Sequence, residues 1–191
     1  VRAITFDYGQ RHRCELESAA KICALTNTPQ KIIKTNLFSE LSENALTNHA
    51  AKITSGSTGE LPSTFVPGRN LIFLTLAAIH AHQLGISEII TGVCQTDYSG
   101  YPDCRAEFIK SAEQSISLAL DQQIQIHTPL MHLTKAQTVE MMQELGQIDL
   151  LKHSHTCYEG KRPACGHCPA CKLRLKGFSE AGITDPLQYE L

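Results

Sequence analysis

The sequence predicts an α/β fold: an open parallel sheet with helices on both faces, followed by a C-terminal segment holding metal through four cysteines. Three observations carry that expectation. Short apolar runs alternate with helical periodicities along residues 1–150, most runs stop at Gly, Pro or Asp turn signals, and four of the eight cysteines fall between positions 157 and 171. Parallel neighbours need a crossover long enough for a helix, so β-α alternation calls for a parallel sheet.

Val1–Phe6 (V-R-A-I-T-F) alternates apolar and polar residues and stops at Asp7-Tyr8-Gly9, a strand and its turn. Leu16, Ala19, Ala20 and Cys23 share one face of a helical period, and Thr26–Pro29 ends that helix. Lys31–Asn36 is the second strand. Phe38–Gly68 has no sustained period and concentrates Ser, Thr, Gly and Pro after Ile53, which marks a long loop of the functional kind. Asn70–Leu84 is apolar nearly all round, a buried helix with Asn70 as N-cap and Gly85 just past its end. Glu88–Val93 is a short buried-type strand, and Thr96–Cys104 is a polar and aromatic loop. Ile109, Ala112, Ile116 and Ala119 mark an amphipathic helix, and Gln123–Thr128 alternates again before Pro129. Thr134-Lys135-Ala136-Gln137 has capping-box spacing, with Val139, Met142 and Leu145 carrying that helix to Gly146. Residues 1–150 are expected to form an α/β nucleotide-binding-type domain, and 151–191 a zinc-binding segment.

Composition excludes several classes. Seventeen Lys and Arg against nineteen Asp and Glu give a formal net charge of -2, which argues against a surface built to coat nucleic acid. With 42% hydrophobic and 19% charged residues the chain is not of disordered type. No apolar run is long enough to cross a bilayer. Eight cysteines in 191 residues fall below the density of a disulfide-stapled secreted domain. Their clustering points to metal ligation in a reducing, cytoplasmic compartment. The chain opens at Val1 directly in a strand, so the sequence is expected to start inside a longer protein.

Cys157-x7-Cys165-x2-Cys168-x2-Cys171 is the strongest motif. Four thiolates from one turn-rich segment surround Zn²⁺ tetrahedrally, leave no open position and imply a structural metal. An iron–sulfur cluster is the rival, although no x3-C-P follows Cys171. His153, His155 and His167 are near enough in sequence to substitute as ligands but read more simply as their surroundings. Val66-Pro67-Gly68-Arg69-Asn70 turns into a buried helix, so first-turn N–H groups beside Arg69 suit a phosphate or carboxylate; the plain alternative is a helix start with a solvated arginine. Asp97-Tyr98-Ser99-Gly100-Tyr101-Pro102-Asp103-Cys104 follows a strand, where open α/β sheets bind ligands. An aspartate there accepts from the N–H and amino donors of a guanine-type edge while a tyrosine stacks, or Asp103 merely caps the next helix. Asp7-Tyr8-Gly9-Gln10-Arg11-His12 holds the same position after the first strand and offers a nucleotide backbone groups and a cation, or is a simple turn.

Taken together, F-D-Y-G-Q-R-H (6–12), V-P-G-R-N-L-I-F-L (66–74), D-Y-S-G-Y-P-D-C-R (97–105), T-P-L-M-x-L-T-K (128–135) and the cysteine tail with R-L-K-G-F-S-E-A-G resemble the 7-cyano-7-deazaguanine synthase family. These are PP-loop ATP pyrophosphatase-like enzymes of queuosine precursor biosynthesis. The resemblance implies an adenine-nucleotide α-hydrolase-like fold and an ATP-dependent, nitrile-forming carbon–nitrogen ligase acting on 7-carboxy-7-deazaguanine and ammonia. Its chemistry is carboxylate activation, amide formation and dehydration. It also implies one structural Zn²⁺ on Cys157, Cys165, Cys168 and Cys171, ATP as co-substrate and Mg²⁺ with it. Arg69, Asp97 and Asp103 are then the expected catalytic residues. Asn70, Tyr98, Ser99, Gly100 and Tyr101 line the substrate, and Asp7, Tyr8, Gly9 and Gln10 the nucleotide.

The family's S-G-G-x-D-S-T loop does not occur in the sequence, so residues 1–191 alone are expected neither to turn over ATP nor to fold well. No membrane and no stable nucleic-acid partner are expected, and a homodimer is compatible with the family. A tRNA-modifying PP-loop enzyme of the thiolation type with an iron–sulfur cluster, or a non-enzymatic zinc-ribbon module, are the competing readings. The first wants a basic face that a net charge of -2 does not offer, and the second leaves the α/β portion without a role.

Overall fold

Among the described residues strand and helix alternate, and both strand pairs are parallel. A computed structural model of the chain describes residues 1–41, 44–48, 61–96 and 101–190. Strand β1 (Ala3–Asp7) leads through α1 (Cys14–Leu25) to β2 (Gln30–Lys34), which pairs with it in register Ala3 to Gln30 and Asp7 to Lys34. After the short α2 (Leu37–Leu41) come α3 (Arg69–Gln83), β3 (Glu88–Ile90), α4 (Ala106–Leu120) and β4 (Gln125–His127). Strand β3 pairs with β4. Helices α5 (Lys135–Glu144) and α6 (Pro169–Glu180) complete the order. The ladders form two separate two-stranded sheets, β1-β2 and β3-β4.

Each pair has its own core. Leu74 and Ala78 of α3, Ile109, Ala112 and Ile116 of α4, and Ile89, Ile124 and Ile126 bury one continuous cluster over β3-β4. The α4 residues recur at the helical spacing that the sequence shows, because only one face of that helix meets the sheet. Over β1 the core is aromatic. Phe6 stacks on Phe73 at 4.1 Å between centroids, and Tyr8 meets Phe38 and Phe73 edge-on at 5.7 and 5.4 Å. Helix α3 serves both clusters and so ties the halves together.

The start of α3 corrects one expectation. Asn70 is not its N-cap: the helix begins at Arg69 after Gly68, whose φ of 70° makes the turn. A left-handed residue there favours glycine. The cap comes from elsewhere in the chain, since the Asp103 carboxylate accepts the Asn70 N–H at 3.1 Å. The capping box of α5 forms as expected, with Thr134 Oγ1 accepting from Gln137 N–H and Gln137 Oε1 from Thr134 N–H.

The tail packs on both halves. Helix α6 crosses α5 so closely that a Cβ at Gly177 would stand 2.6 Å from the Lys135 Cβ. Arg162 donates to Ser18 Oγ and Cys14 O on α1 at 2.9 and 3.0 Å. A single parallel bridge, Ala164 to Tyr189, closes the tail on itself. Among the described residues no helix is long and apolar enough to cross a membrane.

Candidate functional site

The turn after β1 is built to be rigid. Gln10 accepts the Tyr8 N–H through Oε1 at 2.9 Å and donates from Nε2 to Phe6 O at 3.2 Å. Asp7 is buried and takes a 3.0 Å hydrogen bond from Arg13. Gly9 sits at φ 78°, inside this turn. Asp7 and Gln10, two of the four residues expected on the nucleotide side, thus also hold the loop, and Tyr8 is carried toward the α3 start.

There it meets Arg69. The guanidinium donates to Tyr8 Oη at 3.4 Å and lies 5.9 Å from the Tyr8 ring centroid. Burial works against its charge, but Tyr8, Asp103 and Tyr101 outweigh that, so Arg69 is held charged. Burial likewise pushes the Tyr8 phenol up, with Arg69 pulling the other way. Asn70 donates from Nδ2 to Asp103 O at 3.0 Å and to Cys104 Sγ at 3.4 Å, pinning the 101–104 turn to α3. Tyr101 stacks on Phe65 at 5.9 Å and shares a 2.6 Å hydroxyl contact with Thr64. A cavity of about 260 Å³, lined by Tyr8, Gln10, Glu15, Arg69 and Asn70 among others, opens at this point. It lies beyond the carboxyl end of β1, with the α3 N-terminus and a fixed cation facing it, an arrangement that attracts an anion.

The structure therefore brings Tyr8, Gln10, Arg69, Asn70, Tyr101 and Asp103 into one neighbourhood. Asp97, Tyr98, Ser99 and Gly100 lie outside the described residues.

The four tail cysteines meet in full. Cys157, Cys165, Cys168 and Cys171 are buried, and their sulfurs lie within 4.8 Å of one another. Cys165 and Cys171 are 3.9 Å apart, against about 3.8 Å for the edge of a tetrahedron with metal–sulfur bonds near 2.3 Å. The backbone N–H groups of Cys165, Cys168 and Cys171 donate to Cys157, Cys165 and Cys168 Sγ at 3.5, 3.3 and 3.5 Å. Such donors stabilise thiolate. At Cys157, burial is outweighed by the N–H groups of Cys165, Lys161 and Glu159, and the thiol falls to about 7. Burial leaves Cys165 and Cys171 raised instead. Four buried thiols that cannot all ionise alone are a donor set that fits a cation, and the cluster can hold a metal ion.

The histidines stand around this cluster. His155 Nε2 and His167 Nδ1 hydrogen-bond to Cys157 O and Cys165 O at 3.1 and 2.8 Å, and His167 Nε2 meets Glu159 at 2.8 Å. Beneath them Arg174 forks onto Asp185 at 2.7 and 2.8 Å and also donates to Ser154 Oγ and Leu151 O. Both side chains are under 10% exposed. Sequence reading missed this pair, because an arginine at a helical position and an aspartate before a proline carry no local signal of burial. It missed Glu15 as well, since an acidic residue in a first helical turn reads as an ordinary dipole partner.

A family model described as queuosine biosynthesis protein QueC matches residues 1–182. A protein of Chromobacterium violaceum is 51% identical over 189 residues, covering 98% of this chain and 81% of its own length. One of Laribacter hongkongensis is 52% identical over 193 residues, covering 100% and 84%. One of Bacillus subtilis is 49% identical over 182 residues, covering 94% and 83%. Each is named 7-cyano-7-deazaguanine synthase.

Proposed function

The chain belongs to the QueC family, and from that premise we propose that it forms 7-cyano-7-deazaguanine from 7-carboxy-7-deazaguanine, ammonia and ATP. The observation that carries the reading to residues is the held cation Arg69 in the cavity beyond β1. A carboxylate is a poor electrophile until its oxygen becomes a leaving group. ATP supplies that activation, with Mg²⁺ on its phosphates. Ammonia then adds to the carbonyl carbon and the activated oxygen departs, leaving an amide. A second activation at the amide oxygen, with departure of that activated oxygen and loss of both amide protons, gives the nitrile. Arg69 neutralises the substrate carboxylate and the charge that gathers on its oxygens at each activation. Asn70 and Asp103 fix the α3 start that presents it. Asp97 or Asp103 reads the guanine-type edge, and Tyr98 or Tyr101 stacks. Asp7 to Gln10 form the nucleotide side. Cys104 has no nucleophilic part, since ammonia attacks the activated carbon directly.

The metal in this reading is Zn²⁺, held by Cys157, Cys165, Cys168 and Cys171 and confined to structure because four protein ligands fill its shell. We assign it to a tail segment, 151–191, that follows the α/β part at 1–150 and packs against it. None of the eight cysteines is in a disulfide, in keeping with a reducing cytoplasm.

The test is product formation followed by mass spectrometry, with 7-carboxy-7-deazaguanine, ammonia and Mg·ATP supplied to the protein preceded by a segment carrying S-G-G-x-D-S-T. Nitrile is expected from that protein and not from residues 1–191 alone. Absence of both amide and nitrile from the longer protein would overturn the reading.

A further inference from the structure

Three residues with no part in the reading above, Glu15, Lys135 and Thr156, meet in the structure. A cavity of about 370 Å³ opens between the start of α1, the start of α5 and the inner face of α6. Glu15 reaches it from the turn after F-D-Y-G-Q-R-H, Lys135 ends T-P-L-M-x-L-T-K, and Thr156 stands beside the first tail cysteine. Val139, Leu173 and Phe178 supply apolar wall. Glu15 also lines the Arg69 cavity, so the two cavities adjoin at one carboxylate. That carboxyl is raised by the desolvation of its surroundings, with Arg69 working against the shift. Thr156 Oγ1 is buried with no hydrogen-bond partner among the described residues. Buried polar atoms are nearly always paired, so an orphan on a cavity wall asks for a donor or acceptor from a ligand.

We propose that this second cavity receives the bicyclic deazaguanine base, with Glu15 reading its guanine-type edge and the substrate carboxylate directed to the Arg69 side. The proposal rests on the function given above and, within it, moves the reading of the guanine-type edge from Asp97 or Asp103 to Glu15. Volume and lining favour a small flat heterocycle: ligand pockets run from about 300 to 1,000 Å³, mostly apolar with a few placed polar groups, and this one is at the small end. Lone pairs decide the edge. A carboxylate offers two acceptors side by side, matching the ring N–H and the exocyclic amino group of a guanine edge. An adenine edge presents a ring acceptor at the same place, and two acceptors facing each other repel. Asp103 is the rival reader, but one of its carboxylate oxygens already takes the Asn70 N–H. The placement also gives the tail a reason to be braced by metal, since Thr156, Leu173 and Phe178 are wall as well as scaffold.

The test is calorimetric titration of the zinc-loaded protein, with Mg·ATP present, by 7-carboxy-7-deazaguanine, 7-deazaguanine and 7-deazaadenine. Glu15→Gln leaves one acceptor in place of two, and Leu173→Trp fills the cavity from α6. Each is expected to weaken the acid about 100-fold at an unchanged melting temperature, Glu15→Gln by losing a charged acceptor and Leu173→Trp by occupying the space of the base. 7-Deazaadenine is expected to bind the wild type at least as much more weakly. Wild-type affinity in both variants places the base elsewhere and overturns this proposal while the family reading stands. No binding of the acid by the wild type, while the assay above yields nitrile, also overturns the cavity alone; no binding and no nitrile overturns both. Should Leu173→Trp fail to melt cooperatively, Glu15→Gln and its loss of guanine-over-adenine preference decide the matter.

Discussion

The cysteine tail and the Arg69 region both hold charged groups out of bulk water, and they do it in opposite ways. The tail is local and self-satisfied: its four sulfurs come from fifteen consecutive residues, and Arg174 has Asp185, Ser154 and Leu151 as partners. Arg69 is served by residues from distant parts of the chain, Tyr8 and Asp103, and faces a cavity. A group fully satisfied by its own surroundings contributes to stability and has nothing left for a ligand. A cation left half-answered next to empty space contributes to binding. The difference separates the part of this molecule that is scaffold from the part that acts.

The sharpest way to break that distinction is to remove the zinc proposed for the four tail cysteines. Stripping zinc with a chelator, or Cys171→Ser, is expected to unfold residues 151–190 and lower the melting temperature by more than any other change. Structural zinc sites carry on the order of 10 kcal/mol of apparent binding energy that is also folding energy. Metal analysis should fall from one zinc per chain to none. A chelated protein with an unchanged melt would mean that the tail folds without metal and is not a scaffold of this kind.

Next in size is the buried fork. Arg174→Ala leaves the Asp185 carboxylate buried and unpaired, an error worth about 3–5 kcal/mol, readable by urea unfolding. It should lower stability. The pair also has a pH signature. Burial raises the Asp185 carboxyl, but Arg174, Tyr189 and the Leu187 N–H overcome this and hold it below the ordinary carboxylate range. Its stabilisation is therefore complete above the unfolded-state value and is lost as pH falls through the depressed one. Asp185→Asn should flatten that acid limb of the stability curve.

On the other side, Arg69→Lys keeps the charge but loses the planar fork. If Arg69 meets the reacting carboxylate, kcat/KM should drop by about 100- to 1,000-fold, or roughly 3–4 kcal/mol of transition-state stabilisation, at unchanged melting temperature. A loss of stability with no loss of rate would make Arg69 scaffold after all and erase the contrast between the regions.

Legibility in the sequence follows the same division. The cysteine set, the α5 capping box and the α4 stripe are readable because each lies within a few turns of chain, where spacing determines geometry. Asn70 reads as an N-cap for the same local reason, yet the cap arrives from Asp103, thirty-three residues away. Strands β3 and β4 come out shorter than their apolar runs, since a ladder lasts only where both partners are present. Glu15, Lys135 and Thr156 carry no joint signal until α1, α5 and the tail are folded together. Local chemistry can be read from spacing; a cavity wall cannot.

The smallest expected effect tests how far the tail depends on its neighbour. Thr134→Ala removes the hydroxyl that accepts the Gln137 N–H at the start of α5, a loss of about 1 kcal/mol for an exposed cap. Helix α5 meets α6 across Gly177, with Lys135 as the contact. If the two helices melt as one unit, the loss should appear in the global unfolding transition, and hydrogen exchange in α6 should accelerate by about fivefold along with α5. Acceleration confined to residues 135–144 would show the metal-braced helix to be stable in its own right, with α5 merely resting against it. Either result fixes which side of the Glu15 cavity is rigid and which side can open.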